Sequence, residues 1–119
     1  DPVTTEAGTQ KIGQANNVFV FPGIGLGAIV SDAREITDGM ISASAMALAE
    51  SLNDADFKER RLVPDVSRLW DVCGEVAVAV ALQALRDGVC DAALSEQSIR
   101  ERIAAERWTP SYPTFEGVR

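Results

Sequence analysis

Two adjacent asparagines, Asn16 and Asn17, and the glycine string Gly23-Ile24-Gly25-Leu26-Gly27-Ala28 are the residues whose types and spacing best suit a small ligand. Each side-chain amide offers two N–H donors and one acceptor oxygen, so a pair can hold a carboxylate or a neutral carboxamide without adding charge. Adjacent asparagines also satisfy turn geometry by themselves, and spacing alone favours that simpler role. The glycine string matches the G-x-G-x-x-G/A spacing by which backbone amides at a helix start hold a pyrophosphate. Against that role, Pro22 already makes the turn, and the next stretch of about thirty residues offers no second strand to complete a β-α-β unit. A glycine-rich bend that brings backbone close to a small ligand or a packed helix is the better local account. The chain has no histidine, which removes the commonest general base and most catalytic zinc sites. Lys11 and Lys58 are the only lysines, and neither sits where a base would be tuned. Asp32, Glu35 and Asp38 are accounted for by loop and cap placement, so no catalytic or metal-ligating residue is assigned.

The elements that must position these residues follow from pattern. Residues 1–14 have little apolar periodicity and are expected to be an extended entry segment or the remnant of a hairpin. Residues 17–21, β-branched and aromatic and stopped by Pro22-Gly23, suggest a buried strand, the one convincing strand in the chain. A short helix is expected over 25–31. A firmer one is expected over 38–52, with Thr37 as N-cap and Asp38 in the first turn. Residues 54–61 suit a short helix or turn. The stretch 66–86 alternates like a strand, but Arg68, Asp71, Glu75, Gln83 and Arg86 share one stripe at helical spacing and Gly88 stands just past the end. It is assigned as a long buried helix whose apolar face includes Leu69, Trp70, Val76, Val80 and Leu85. A last helix, capped by Ser95, covers 96–106 with Ile99 and Ile103 inward, followed by an aromatic, proline-punctuated tail from Trp108 to Phe115 that must dock on something. The fold class is therefore mostly α with one short strand at the N-terminal end.

Bulk properties narrow the partners. A 119-residue chain with 46% hydrophobic content suits one domain with a real core. Its 11 basic and 18 acidic residues give a net charge of −7, which repels phosphate backbones and anionic lipid, so neither nucleic acid nor membrane is an expected partner. The longest apolar run, residues 76–82, is far short of the roughly 18–20 residues that span a bilayer, and no secretory pattern opens the chain. A cytoplasmic location is expected. Cys73 and Cys90 fit buried free thiols better than a disulfide or zinc site.

The run Ile12-Gly13-Gln14-Ala15-Asn16-Asn17-Val18-Phe19-Val20-Phe21-Pro22-Gly23-Ile24-Gly25-Leu26-Gly27 closely resembles the late signature of the malic enzyme family, which includes the malolactic enzymes. The resemblance continues through Ile36-Thr37-Asp38-Gly39-Met40-Ile41, the Ala-rich helix, the Val/Ala helix and a Trp-x-Pro-x-Tyr ending at Trp108 to Tyr112, and so covers nearly the whole chain. It implies the C-terminal part of an α/β enzyme with a Rossmann-type NAD domain and a substrate domain. On that basis residues 1–15 leave the nucleotide-binding domain, 16–107 form the helical C-terminal part of the substrate domain, and 108–119 are the docking tail. The implied reaction is oxidative decarboxylation of L-malate to pyruvate with NAD or NADP and Mg²⁺ or Mn²⁺.

The resemblance further implies that Asn17 binds a malate carboxylate and that Asn16 contacts the nicotinamide side or the substrate, with Phe21, Pro22, Gly23 and Gly25 as pocket wall. The dinucleotide fingerprint, the metal carboxylates and the catalytic Tyr and Lys are expected upstream. The chain alone is then expected to bind no cofactor and to be inactive, its partners being the upstream part of the same enzyme, L-malate and further copies in a homo-oligomer. A malolactic enzyme fragment and a non-catalytic helical assembly module are the alternatives.

Overall fold

The Val/Ala run that alternates like a strand is a helix because it is buried on two sides at once. In a computed structural model, which describes residues 3–10, 18–90 and 93–107, the elements in chain order are a hairpin and five helices. The hairpin pairs β1, Val3–Thr5, with β2, Gly8–Gln10, antiparallel, with Thr4 opposite Thr9 and Gly8 at positive φ in the turn. The helices are α1 (Phe21–Ser31), α2 (Asp38–Glu50), α3 (Asp54–Lys58), α4 (Leu69–Arg86) and α5 (Glu96–Glu106), with one 3-10 turn, Val66–Arg68, leading into α4.

α4 is the central element. Val72, Val76, Val80 and Ala84 recur every fourth residue and join Phe19, Met40, Val63 and Val89 in one buried cluster. Ala77, Val78 and Ala81 face the other way and meet Val30, Ile99 and Ile103 in a second. The polar stripe that remains carries Asp71 and Glu75, and Glu75 receives both Arg100 guanidinium nitrogens of α5 at 2.8 and 3.2 Å. Ile99 and Ile103 of α5 are buried as expected. Trp70 is not: it is 58% exposed and belongs to neither cluster. Leu69 and Leu85 are half-buried against the two clusters.

The expected strand over 17–21 is the other correction. Residues 18–20 form a turn and Phe21 opens α1. The β-branched and aromatic side chains favour a strand only where a sheet can receive them, and the strands of the described residues belong to the hairpin at 3–10. Pro22 instead occupies the first turn of α1, where its missing N–H removes no helical bond. α1 stops at Asp32, whose own N–H still bonds the Ala28 and Ile29 carbonyls and whose left-handed conformation (φ 52°) turns the chain so that the next N–H, that of Ala33, also reaches Ala28 O at 3.0 Å.

The helix termini are fixed by specific bonds. Thr37 caps α2, its Oγ1 accepting from Met40 N at 3.1 Å while donating to Asp87 just past the end of α4. Gly39 leaves room for that contact, since a Cβ there would stand 2.7 Å from Asp87 Oδ2. Arg34 ties the loop after α1 to the same place through its amide to Val89 O and its guanidinium to Gly88 O, each at 2.9 Å. Gly88 itself has φ 67°, as expected of a residue ending a helix. Ser95 caps α5, and Asn53 with Asp56 caps α3; Asp56 is buried and also accepts from Arg68 at 3.1 Å.

Two predictions follow from this packing. Gly27→Ala places a methyl 2.7 Å from Ala77 O and Val80 Cβ and lowers stability by about 1–3 kcal/mol, whereas Gly25→Ala, with open space around it, raises stability by about 0.5–1 kcal/mol; urea denaturation of both variants checks the pair. The hydrogen bonds from Thr37 and then Gln83 hold the Asp87 carboxyl below its ordinary value of 3.8. A depressed folded-state value means that this contribution is complete above 3.8 and is lost as pH falls through the lower folded value. Asp87→Asn therefore flattens the fall of the urea midpoint with acidification in that window, and an unchanged slope would count against the contact.

Candidate functional site

α1 carries the glycine string, and its two faces behave differently. Gly23 and Gly27, one turn apart, lie against α4: a Cβ on Gly23 would stand 2.5 Å from Val76 Cγ1, and one on Gly27 would stand 2.7 Å from Val80 Cβ. Glycine is needed at both positions so that the helices can approach. The space beside these glycines is filled by valine, so they form no phosphate cradle, and the pyrophosphate of a dinucleotide does not fit here. Of the residues expected to form a pocket wall, Gly23 is thus buried in packing. Phe21, Pro22 and Gly25 lie on the open side; Phe21 is 73% exposed and nothing stands within 4 Å of a Cβ on Gly25. Ile29, one turn beyond Gly25, is 66% exposed and extends the same stripe. A helix with no charged residue, FPGIGLGAIVS, therefore shows an apolar outer face. Helices apolar all round are normally covered on every side.

Asn16 and Asn17 lie outside the described residues, as do Lys11 and the aromatic tail from Trp108. The turn that immediately follows Asn17 is described. Phe19 is 2% exposed and packs in the α4 cluster. The Cys73 thiol of α4 lies 3.4 Å from the Val18 carbonyl oxygen and 3.5 Å from that of Phe19, and donates to them. Burial pushes the Cys73 pKa up, with Arg107 pulling weakly the other way, so the group stays a thiol and keeps its proton. This contact was not legible as such: the sequence marks Cys73 only as a buried thiol, and its spacing to Val76 and Val80 is the one hint that it faces α1. Cys90 is half-buried and also free.

The other sequence candidates are structural. Asp32 ends α1, Glu35 is exposed in the following loop, and Asp38 stands in the first turn of α2. Among the described residues no three His, Cys, Asp or Glu side chains are grouped to hold a metal ion, so a divalent cation does not fit among them. A groove of about 400 Å³ between α2, α4 and α5 is lined by Val72, Val78 and Leu82, with Glu75 and Arg100 paired at its rim. None of residues 18–27 lines it. No helix among the described residues is long and apolar enough to cross a membrane.

Fold and site together define a helical layer whose leading helix carries the glycine string and shows one uncovered apolar face. Comparison with known proteins gives the family. Residues 1–85 match the model of the malic enzyme NAD-binding domain, which extends over α1 to α3 and through nearly all of α4. A putative NAD malate oxidoreductase of Mycobacterium tuberculosis is 43% identical over 111 residues, covering 93% of this chain and 20% of that protein. The mitochondrial NAD-dependent malic enzyme of Solanum tuberosum is 36% identical over 86% of this chain and 18% of its own length. The crystal structure of Entamoeba histolytica malic enzyme superposes with a TM-score of 0.63 at 31% identity, over 76% of this chain and 18% of that one. The chain belongs to the malic enzyme family. It spans about one fifth of the length of the curated relatives it matches.

Proposed function

We propose that this segment supplies the asparagine loop that faces malate and nicotinamide in an NAD(P)-dependent oxidoreductase converting L-malate to pyruvate. The observation that carries the proposal is the place of the signature: Asn16-Asn17 directly precedes a turn whose carbonyls and first helix are fixed on the buried face of α4. Loop-borne polar groups recognise a substrate well only when a rigid element holds their base. Asn17 donates its amide to a malate carboxylate, and Asn16 meets the carboxamide side of the nicotinamide. Phe21, Pro22 and Gly25 form the apolar wall, while Gly23, from behind, sets how deep that wall lies.

In the complete enzyme NAD or NADP supplies the hydride acceptor, and Mg²⁺ or Mn²⁺ supplies the Lewis acid for decarboxylation. In this reading the segment's own part is to bind and orient. The family model matches residues 1–85, and in this reading the helices within 16–107 are the part that closes on the substrate side. The apolar stripe Phe21, Gly25 and Ile29 supports the same view, because the remaining part of such an enzyme covers it. Homo-oligomer assembly through the tail at 108–119 belongs to the same proposal.

Asn17→Ala in the complete enzyme is expected to lower kcat/KM for malate by about 1–3 kcal/mol in transition-state terms, the cost of removing hydrogen bonds to a charged group. Steady-state kinetics with malate varied at saturating cofactor measure it, and an unchanged kcat/KM would show that the asparagine only shapes the turn. The purified 119-residue chain is expected to show no malate oxidation with NAD or NADP and Mn²⁺. Turnover near that of a complete enzyme would overturn the division of labour.

A further inference from the structure

We propose that Cys73 is a positioning residue for the asparagine loop, its thiol tethering the two peptide carbonyls that directly follow Asn17 to the buried face of α4. The proposal rests on the substrate role of Asn16 and Asn17 given above, and adds to it the group that sets their position.

Three observations converge on Cys73. Its Sγ lies 3.4 Å from Val18 O and 3.5 Å from Phe19 O, so one S–H proton is shared between two successive carbonyls. Those carbonyls stand ahead of the first hydrogen bond of α1, from Ile24 N to Val20 O at 3.0 Å. Gly23 brings the helix start against the same residue, a Cβ there standing 3.1 Å from Cys73 O. Cys73, Val76 and Val80 therefore form one line on α4 that grips, in order, the turn after Asn17, Gly23 and Gly27.

The thiol does something that an apolar residue of its size does not. Phe19 is 2% exposed, so replacing the S–H by a methyl removes a donor from a carbonyl with little access to water. Burial holds the group protonated, so the donor persists through the ordinary pH range. Asn17 is one peptide unit from the tethered Val18 carbonyl, and rotation of that unit moves the asparagine side chain relative to whatever it binds.

A double-mutant cycle in the complete enzyme tests this, with Cys73→Ala, Cys73→Ser and Asn17→Ala read as malate KM, cofactor KM, kcat and thermal midpoint. Cys73→Ala is expected to raise the malate KM about three- to tenfold with kcat and cofactor KM little changed, as suits one lost weak hydrogen bond acting through a binding residue. Cys73→Ser, which keeps a donor, restores most of that loss, and Cys73→Ala has little further effect on an Asn17→Ala background. If Cys73→Ala does not fold, Cys73→Val refills the volume without a donor and takes its place. Equal losses in the donor-free and serine variants, or the same Cys73→Ala loss with and without Asn17, would overturn the tether and leave Cys73 as core packing. An Asn17→Ala enzyme with unchanged malate kinetics overturns the substrate role itself, and the tether with it. Malate kinetics untouched by Cys73→Ala but impaired by Asn17→Ala overturn the tether alone.

Discussion

At Gly23 and Gly27 the backbone of α1 comes so close to Val76 and Val80 of α4 that a methyl group would overlap them. Much of the remaining structure depends on that approach. It seats the turn at residues 18–20, carries Phe19 into the core beside Val76, and turns Phe21, Gly25 and Ile29 outward as one stripe. Dispersion is strong only at contact distance, so two helices without intervening side chains gain close packing along their whole shared line. The glycines that suggest a nucleotide loop are thus an instrument of helix packing. Their chemistry is the absence of a side chain, used to bring a neighbouring loop to a fixed depth.

The second constraint lies at the opposite end of α4. Thr37, Asp87, Arg34 and Gly88 join the start of α2, the loop after α1 and the end of α4 through bonds that span fifty or more residues of sequence. Such long-range bonds around a helix terminus satisfy carbonyls and amides that a helix leaves open. Arg102 of α5 adds a bond to Val30 O, the end of α1, at 3.0 Å. The buried polar groups Ser31 and Ser44 are satisfied within their own helices, by bonds to Gly27 O and Ile41 O.

Helices with clear caps and periodic stripes were legible in the sequence, because their signals are local. Thr37 and Ser95 mark two helix starts, and Ile99 with Ile103 marks a buried face one turn long. The segment at 18–21 was not legible, because propensity there favours a strand and packing against α4 makes it a turn and helix start. Trp70 illustrates the same limit: its residue type suits a core position, and only the packing of the other elements leaves it outside both clusters. Within the candidate site, the asparagines and the glycine spacing stand out by residue type. The part played by Cys73 depends on a contact across 54 residues of sequence, and no local pattern encodes that distance.

The double burial of α4 has a consequence for how this sequence can vary. Its two apolar faces and one narrow charged stripe are held in register by angle, and each residue added or removed turns everything downstream by about 100°. A single deletion near Gly74 would swing Glu75 and its successors out of phase, taking the carboxylate away from Arg100 and turning a valine toward water. Substitution by residues of like size leaves that phase untouched. Across related chains, α4 should therefore drift in composition while keeping a constant length between Leu69 and Arg86, with insertions confined to the loops on either side.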